Sequence, residues 1–306
     1  MKQVRRLMTL SLLALFTAII VIACSGDGNS NADMTIKVGS KDFTEQFILG
    51  HMYALILEER GFKVERKLNL GSTPVLQAGL SSGEIDLYPE YTGTALVAVL
   101  KQPPSSNAQQ VFDTVAKGYK EKYNLVWLQP APMNNTTALA MRKQDAEKFG
   151  IKKISDLVAQ ADKLVLLGPP AFKTREDALP GIKRVYGDFE LKEFKGVDPG
   201  LRYQGLMNGE GNVVVAFGTD GEISALNLVV LEDDKKLFPI YQVAPVVRQE
   251  VLDKYPGIRD ALNSISPKLT DEVMQQLNYE VSGKQREPAD VAKEFLVQAG
   301  MLSPTE

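Results

Sequence analysis

Two stretches of this chain place an aromatic residue in the same local setting. Residues 76–94, LQAGLSSGEIDLYPEYTGT, and residues 203–222, YQGLMNGEGNVVVAFGTDGE, each read as a helix end, a Gly-Glu break, a short apolar strand, an aromatic and a small-residue turn. The aromatics are Tyr91 and Phe217. In open α/β sheets, ligands bind beyond the carboxyl ends of the strands. Two such units would aim two ring faces at one cleft, and the negative face of a π-system attracts a soft cation. A helix-glycine-strand-turn run also recurs by chance in α/β chains, and an aromatic at a strand end is more often core or rim than cage. The echo alone leaves both readings open.

Other chemistries are poorly supplied. The chain has one Cys, Cys24, and one His, His51. His51 lies in FILGHMYALIL, a helical pattern in which a packed histidine is the ordinary reading. A Ser-His-Asp triad would depend on it, and neither a disulfide nor a His-rich metal site can be built. No GxSxG elbow and no HExxH run occur. Glu84, Asp86 and Glu90 fall on a short strand and its turns, without the opposed spacing that acid–base catalysis needs. Composition is ordinary for a globular protein, 44% apolar and 24% charged. Net charge is −3 with no basic run after the N-terminal segment, which sets nucleic acid aside. The expectation is binding without catalysis, metal or cofactor.

The N-terminus indicates a compartment. Lys2, Arg5 and Arg6 precede an apolar run over residues 7–22 that ends in Val21-Ile22-Ala23-Cys24. That is the order of a secretory signal, and the run is short and one-sided for a spanning helix. The ending resembles a bacterial lipobox, which implies cleavage after residue 23 and lipidation of Cys24; the alternative is an uncleaved anchor. Residues 24–33 are small and polar and read as a flexible tether.

These residues need a scaffold. Alternation at Ile36 and Val38 predicts a strand, and a helix runs from Thr44 to Arg60, stopped by Gly61. A strand over 64–70, a helix from Thr73-Pro74 to Gly83, a strand over 85–88 and a helix over 93–100 follow. This βαβαβα order implies a parallel sheet with helices on its faces. After a helix near 112–123, strands are expected at 125–128, 137–141, 164–167, 191–194 and 213–217, with helices at 179–186 and 200–207. Residues 239–248, PIYQVAPVVR, read as extended, and the tail as helical. Helices following a second α/β unit fit best if the chain crosses between lobes twice. Lobe I is then 34–134 plus 242–306, and lobe II is 135–241. PMNNTTALAM and PIYQVAPVVR would form the hinge of a clamshell that closes on its ligand.

The segments VGSKDFTEQFILGHM, EIDLYPEYTGTAL, NNTTALAMRK, KKISDLVAQADKLV, LPGIKRVYG, LNLVVLEDDKKLFPIY and LNYEVSGKQREPADVAKEFL occur in one order along the mature chain. Together they resemble the substrate-binding proteins of quaternary-amine ABC importers, which take up glycine betaine, proline betaine, choline or carnitine. The resemblance implies a two-lobed type II periplasmic-binding-protein fold, each lobe a mixed, mostly parallel sheet flanked by helices. It also implies an exported, lipid-anchored monomer that serves an ABC permease and its ATPase subunit, facing the periplasm or cell exterior. In that family a trimethylammonium head sits in a box of aromatic rings, and basic side chains hold the carboxylate. The box positions fall on Tyr91, Thr137, Phe217 and Tyr241, and the basic positions on Lys41 and Arg175. Thr137 and Phe217 stand where the family has tyrosine, so one wall is open and one phenol is lost. A quaternary ammonium carries no N–H, so ring faces suit it where hydrogen-bond acceptors do not. Choline, carnitine or an amino-acid-like zwitterion remain alternatives to a carboxylated betaine, and a lipid-anchored hydrolase is the rival from another class.

Overall fold

A computed structural model describes residues 35–174, 178–198 and 200–303. Cys24 and Arg175 lie outside the described residues.

Among the described residues, ten strands form two five-stranded sheets. The first contains β1 (Thr35–Gly39), β2 (Lys63–Lys67), β3 (Leu87–Tyr91), β4 (Leu125–Trp127) and β10 (Val243–Arg248), in the order β2-β1-β3-β10-β4. The second contains β5 (Thr137–Arg142), β6 (Val165–Gly168), β7 (Glu193–Gly196), β8 (Val213–Phe217) and β9 (Leu228–Val230), in the order β7-β6-β8-β5-β9. The two orders share one plan. In each sheet four strands run the same way and a single strand, fourth in the order, is reversed: β10 in the first and β5 in the second. Each reversed strand is the one entered directly from the other sheet. The chain therefore arrives at the edge where the other strands end, and reversal brings the amino ends of β5 and β10 to that edge.

The connecting segments lie side by side. Asn135 N donates to Tyr241 O at 3.2 Å, Tyr241 N to Asn134 Oδ1 at 2.7 Å, and Thr136 Oγ1 to Pro239 O at 2.7 Å.

Each sheet is covered on both faces. The helix Thr44–Glu59 and the C-terminal helices Asp271–Ser282 and Pro288–Gln298 bury Ile48, Met52, Met274, Leu277 and Leu296 against one face of the first sheet. Leu76, Leu80, Val111, Val115 and Tyr119 cover its other face. Two further clusters cover the faces of the second sheet. The tail thus completes the core of the first lobe. Among the described residues no helix is long and apolar enough to cross a membrane.

Local differences from the sequence expectation have identifiable causes. The strand expected at 85–88 runs over 87–91, straight through Pro89. Proline normally demotes a strand because it lacks a donor. Here Pro89 faces Pro245 across β3 and β10, and Pro245 O accepts from Leu128 N on its other side, so the two form a non-hydrogen-bonded pair and neither withholds a donor from the β3–β10 ladder. The helix expected at 93–100 is a single α-turn, Thr92–Thr94, followed by a π-helical stretch, Ala95–Val99. Such bulges cluster at functional sites, and this one begins one turn after Tyr91. The strand expected at 191–194 lies two residues later.

Candidate functional site

At the edge where β1, β3 and β8 end and β5 and β10 begin, a cavity of about 620 Å³ opens between the sheets. Its wall includes Lys41, Tyr91, Thr137, Phe217 and Tyr241. Five of the six ligand-contact positions expected from the sequence therefore lie on one cavity; the sixth, Arg175, lies outside the described residues. Tyr91 is the last residue of β3 and Phe217 the last of β8. Thr137 opens β5 and sits directly opposite Phe217 in the antiparallel register, so the two side chains share a face. Tyr241 lies in the second crossing segment, against Gly93. A Cβ on Gly93 would meet Ile240 O at 2.6 Å and the Tyr241 ring at 2.8 Å, so only glycine allows this approach.

The rings differ in exposure. Tyr91 is 4% exposed, whereas Phe217 is 37% exposed. Phe43, which the sequence reading passed over, stacks beside Tyr91 with centroids 6.2 Å apart and planes 22° apart, and it remains 38% exposed. Tyr203 also lines the cavity. The Arg202 guanidinium lies 4.6 Å from the Tyr203 ring centroid and 5.8 Å from that of Phe217.

The charged groups are mostly paired within the protein. Lys41 Nζ donates to Glu90 Oε1 at 2.5 Å, with both side chains buried. Glu90 also accepts from Thr73 Oγ1, Tyr88 OH and Tyr91 N. The ammonium sits 5.1 Å from the Tyr91 ring centroid. Lys41 is therefore at the cavity, but one of its three N–H donors is committed to a buried carboxylate. Arg202 pairs with Asp220 Oδ2 at 2.5 Å and donates to Val215 O. Asp220 Oδ2 also accepts from Tyr203 OH and from Phe217 N, which fixes the loop after β8.

Glu45 is different. It is 3% exposed, and it accepts from Tyr91 OH at 2.6 Å, Asn135 Nδ2 at 2.9 Å and Asn278 Nδ2 at 3.0 Å. The Thr219 side chain is a fourth donor. Burial pushes its carboxyl above the ordinary value of 4.5, against the opposing effect of these hydrogen bonds. Burial, then the Glu45 charge, hold the Tyr91 phenol well above its ordinary value, so it stays protonated. Asn278 Nδ2 also donates to Thr219 O at 2.8 Å, tying the tail helix to the loop after β8. Glu45 lies in the first turn of the helix Thr44–Glu59, and nothing local in the sequence foretold that β3 would bring a phenol to it.

His51, on the helix Thr44–Glu59, is half-buried and away from the cavity wall; burial, then Arg66, depress its ionisation. Among the described residues no group of three or more His, Cys, Asp or Glu side chains is arranged to hold a metal ion.

Two lobes joined by a paired crossing, with an aromatic cavity at the seam, define a ligand-binding protein of the clamshell class. Residues 34–298 match the family described as the substrate binding domain of ABC-type glycine betaine transport systems, and the chain belongs to that family. It is 34% identical over 300 residues to the glycine betaine-binding protein YehZ of Escherichia coli (strain K12), covering 94% of this chain and 98% of that protein. It is 36% identical over 301 residues to the ergothioneine transport permease/ergothioneine binding protein EgtU of Helicobacter pylori (strain G27); this covers 98% of the chain but only 54% of that longer protein. The crystal structure of a glycine betaine/carnitine/choline ABC transporter component superposes with a TM-score of 0.83 at 31% identity, covering 87% of this chain and 99% of that one.

Proposed function

We propose that this protein captures a carboxylated quaternary amine, glycine betaine or a related betaine, between its lobes and delivers it unchanged to an ABC permease. The observation that carries this is the set of rings, Phe43, Tyr91, Phe217 and Tyr241, on one cavity at the seam. Each ring facing a trimethylammonium contributes about 0.5–2 kcal/mol. Three or four of them, with charge-assisted hydrogen bonds to a carboxylate, reach the roughly −8 kcal/mol of micromolar binding. The carboxylate falls to Lys41, through the donors that Glu90 leaves free, and to Arg175. Family membership and the relative named for glycine betaine support the ligand class. The lobe boundaries near 135 and 242, a lipid anchor on Cys24, a monomeric state and the absence of catalysis belong to the same proposal.

A second ligand is favoured by one specific feature. Thr137 leaves the wall beside Phe217 without a ring, which makes room for a betaine with a bulky substituent. Ergothioneine, a betaine derived from histidine and named for the Helicobacter relative, is of that kind. Calorimetric titration of the tether-less protein with glycine betaine, carnitine, choline and ergothioneine tests both readings. Binding of a betaine with choline at least tenfold weaker is expected; binding of none of the four overturns the proposal.

A further inference from the structure

The cavity's two tyrosine–carboxylate pairs are chemically unequal. Tyr91 OH donates to Glu45 Oε1 at 2.6 Å, and Tyr203 OH donates to Asp220 Oδ2 at 2.5 Å. Asp220 is neutralised by Arg202. Glu45 has only neutral partners, Tyr91, Asn135, Asn278 and Thr219, and no cation within ion-pair distance among the described residues. A buried carboxylate without a partner charge is costly, and four converging donors are the least the fold must supply to keep it there. Such a group is retained beside a cavity if a bound cation, reached through its phenol partner, compensates its charge.

The geometry supplies the route. Hydrogen bonds to a charged acceptor are short and strong, and in a low-dielectric site linked hydrogen bonds polarise one another. A phenol donating to a carboxylate shifts electron density from the O–H bond toward oxygen and ring. That deepens the negative face on which a cation rests. No covalent step is involved, and the proton remains on Tyr91.

We propose that Glu45 sets the preference for a permanent cation by acting through the Tyr91 phenol, as a specificity-determining residue that does not itself touch the ligand. This rests on the binding function proposed above. The other charges around it do not replace it. Lys41 faces the Tyr91 ring but is paired with Glu90, and Arg202 with Asp220. Glu222, across the cavity, accepts from Ser282 Oγ on the helix Asp271–Ser282. Asp271, at the start of that helix, accepts from Asn134 N. His51 and Glu58, on Glu45's own helix, are absent from the cavity wall.

The test uses two ligands of one shape. Glycine betaine and 3,3-dimethylbutanoate differ only in the quaternary atom, nitrogen in one and carbon in the other. Their affinity ratio isolates the cation's share of binding. In the wild type, at a pH where both ligands are carboxylates, the ratio is expected to favour betaine strongly. In Glu45→Gln the ratio should shrink about three- to tenfold, on the scale of one cation–π contact. Tyr91→Phe keeps the ring and removes only the link, so it should lose the same discrimination even if Glu45→Gln folds poorly. The double variant should be no worse than the worse single one. Equal weakening of both ligands, or an unchanged ratio in Tyr91→Phe, overturns the proposal. If the wild type binds neither ligand nor any other betaine, it is the binding function that fails.

Discussion

The open wall beside Phe217 makes the sharpest prediction. Thr137 and Phe217 are opposite residues of an antiparallel pair, which puts their Cβ atoms about 4.5–5.5 Å apart on one face. Both line the cavity, and Phe217 leaves 37% of its surface uncovered. A tyrosine at 137 would therefore place a second ring beside Phe217, facing the ligand rather than the core. One added cation–π contact is worth about 0.5–2 kcal/mol, or about two- to thirtyfold in affinity. Glycine betaine, which fills little of a 620 Å³ space, should gain by that factor in Thr137→Tyr. A bulkier betaine that occupies the vacancy should gain less or lose, so the selectivity between the two should move toward the smaller ligand. Calorimetric titration of both ligands against both proteins measures this. A cycle with Phe217→Ala should show coupling if the two rings share one cation. Unchanged affinity for every betaine, with native melting, would mean that the ligand does not approach residue 137, and the cage as drawn would be wrong.

Other positions separate ligand contact from scaffold. Tyr241→Ala should weaken betaine binding about tenfold with little change in apo melting, since Tyr241 is only partly buried. Tyr91→Ala should lower both, because Tyr91 belongs to the buried core and truncating a large buried aromatic costs about 3–5 kcal/mol. Lys41→Met strips a fully buried Glu90 of its cation and should cost about 3–5 kcal/mol of apo stability; adding Glu90→Leu should recover most of it, and failure to recover would show that the pair is not what Lys41 supplies. Cys24→Ala should release the protein from membranes and abolish palmitate labelling without altering its melting temperature.

The scaffold was legible where it depends on local patterning. The helix Thr44–Glu59 and its stop at Gly61, with φ of 80°, follow from apolar spacing and a left-handed C-terminal residue. The repeated helix-glycine-strand-aromatic run marked Tyr91 and Phe217, because both end strands whose carboxyl ends face the seam. What stayed hidden is nonlocal. Strand β3 runs on through Pro89 because the pairing with β10, more than 150 residues later, puts Pro89 at a position where that ladder needs no donor. Glu45 becomes a hub because a tail residue, Asn278, and a crossing residue, Asn135, reach it from distant parts of the chain. Arg202 and Asp220 carried no signal in the sequence; folding sets the guanidinium near the Tyr203 and Phe217 rings and pairs it with Asp220. Lys41 was legible as a residue of the cavity but not as one half of a buried ion pair.

These nonlocal contacts also bear on how a ligand could be sensed. The two crossing segments are hydrogen-bonded to each other. A third connection lies beside the cavity: Asn278 holds Glu45 and Thr219 O together, and Gln275 Nε2 donates to Gly218 O. Gly221 packs so tightly on this helix that a Cβ would meet Tyr279 N at 2.5 Å. The loop that carries Phe217 and Asp220 is thus clamped to the first lobe's tail helix. Glu45, on the same clamp, is bonded to the buried ring on the opposite wall. A cation seated between Tyr91 and Phe217 touches both ends of one connected set of groups. Its binding energy is then available to draw the lobes together, and the exposed faces of Phe43 and Phe217 are the surface such closure would cover.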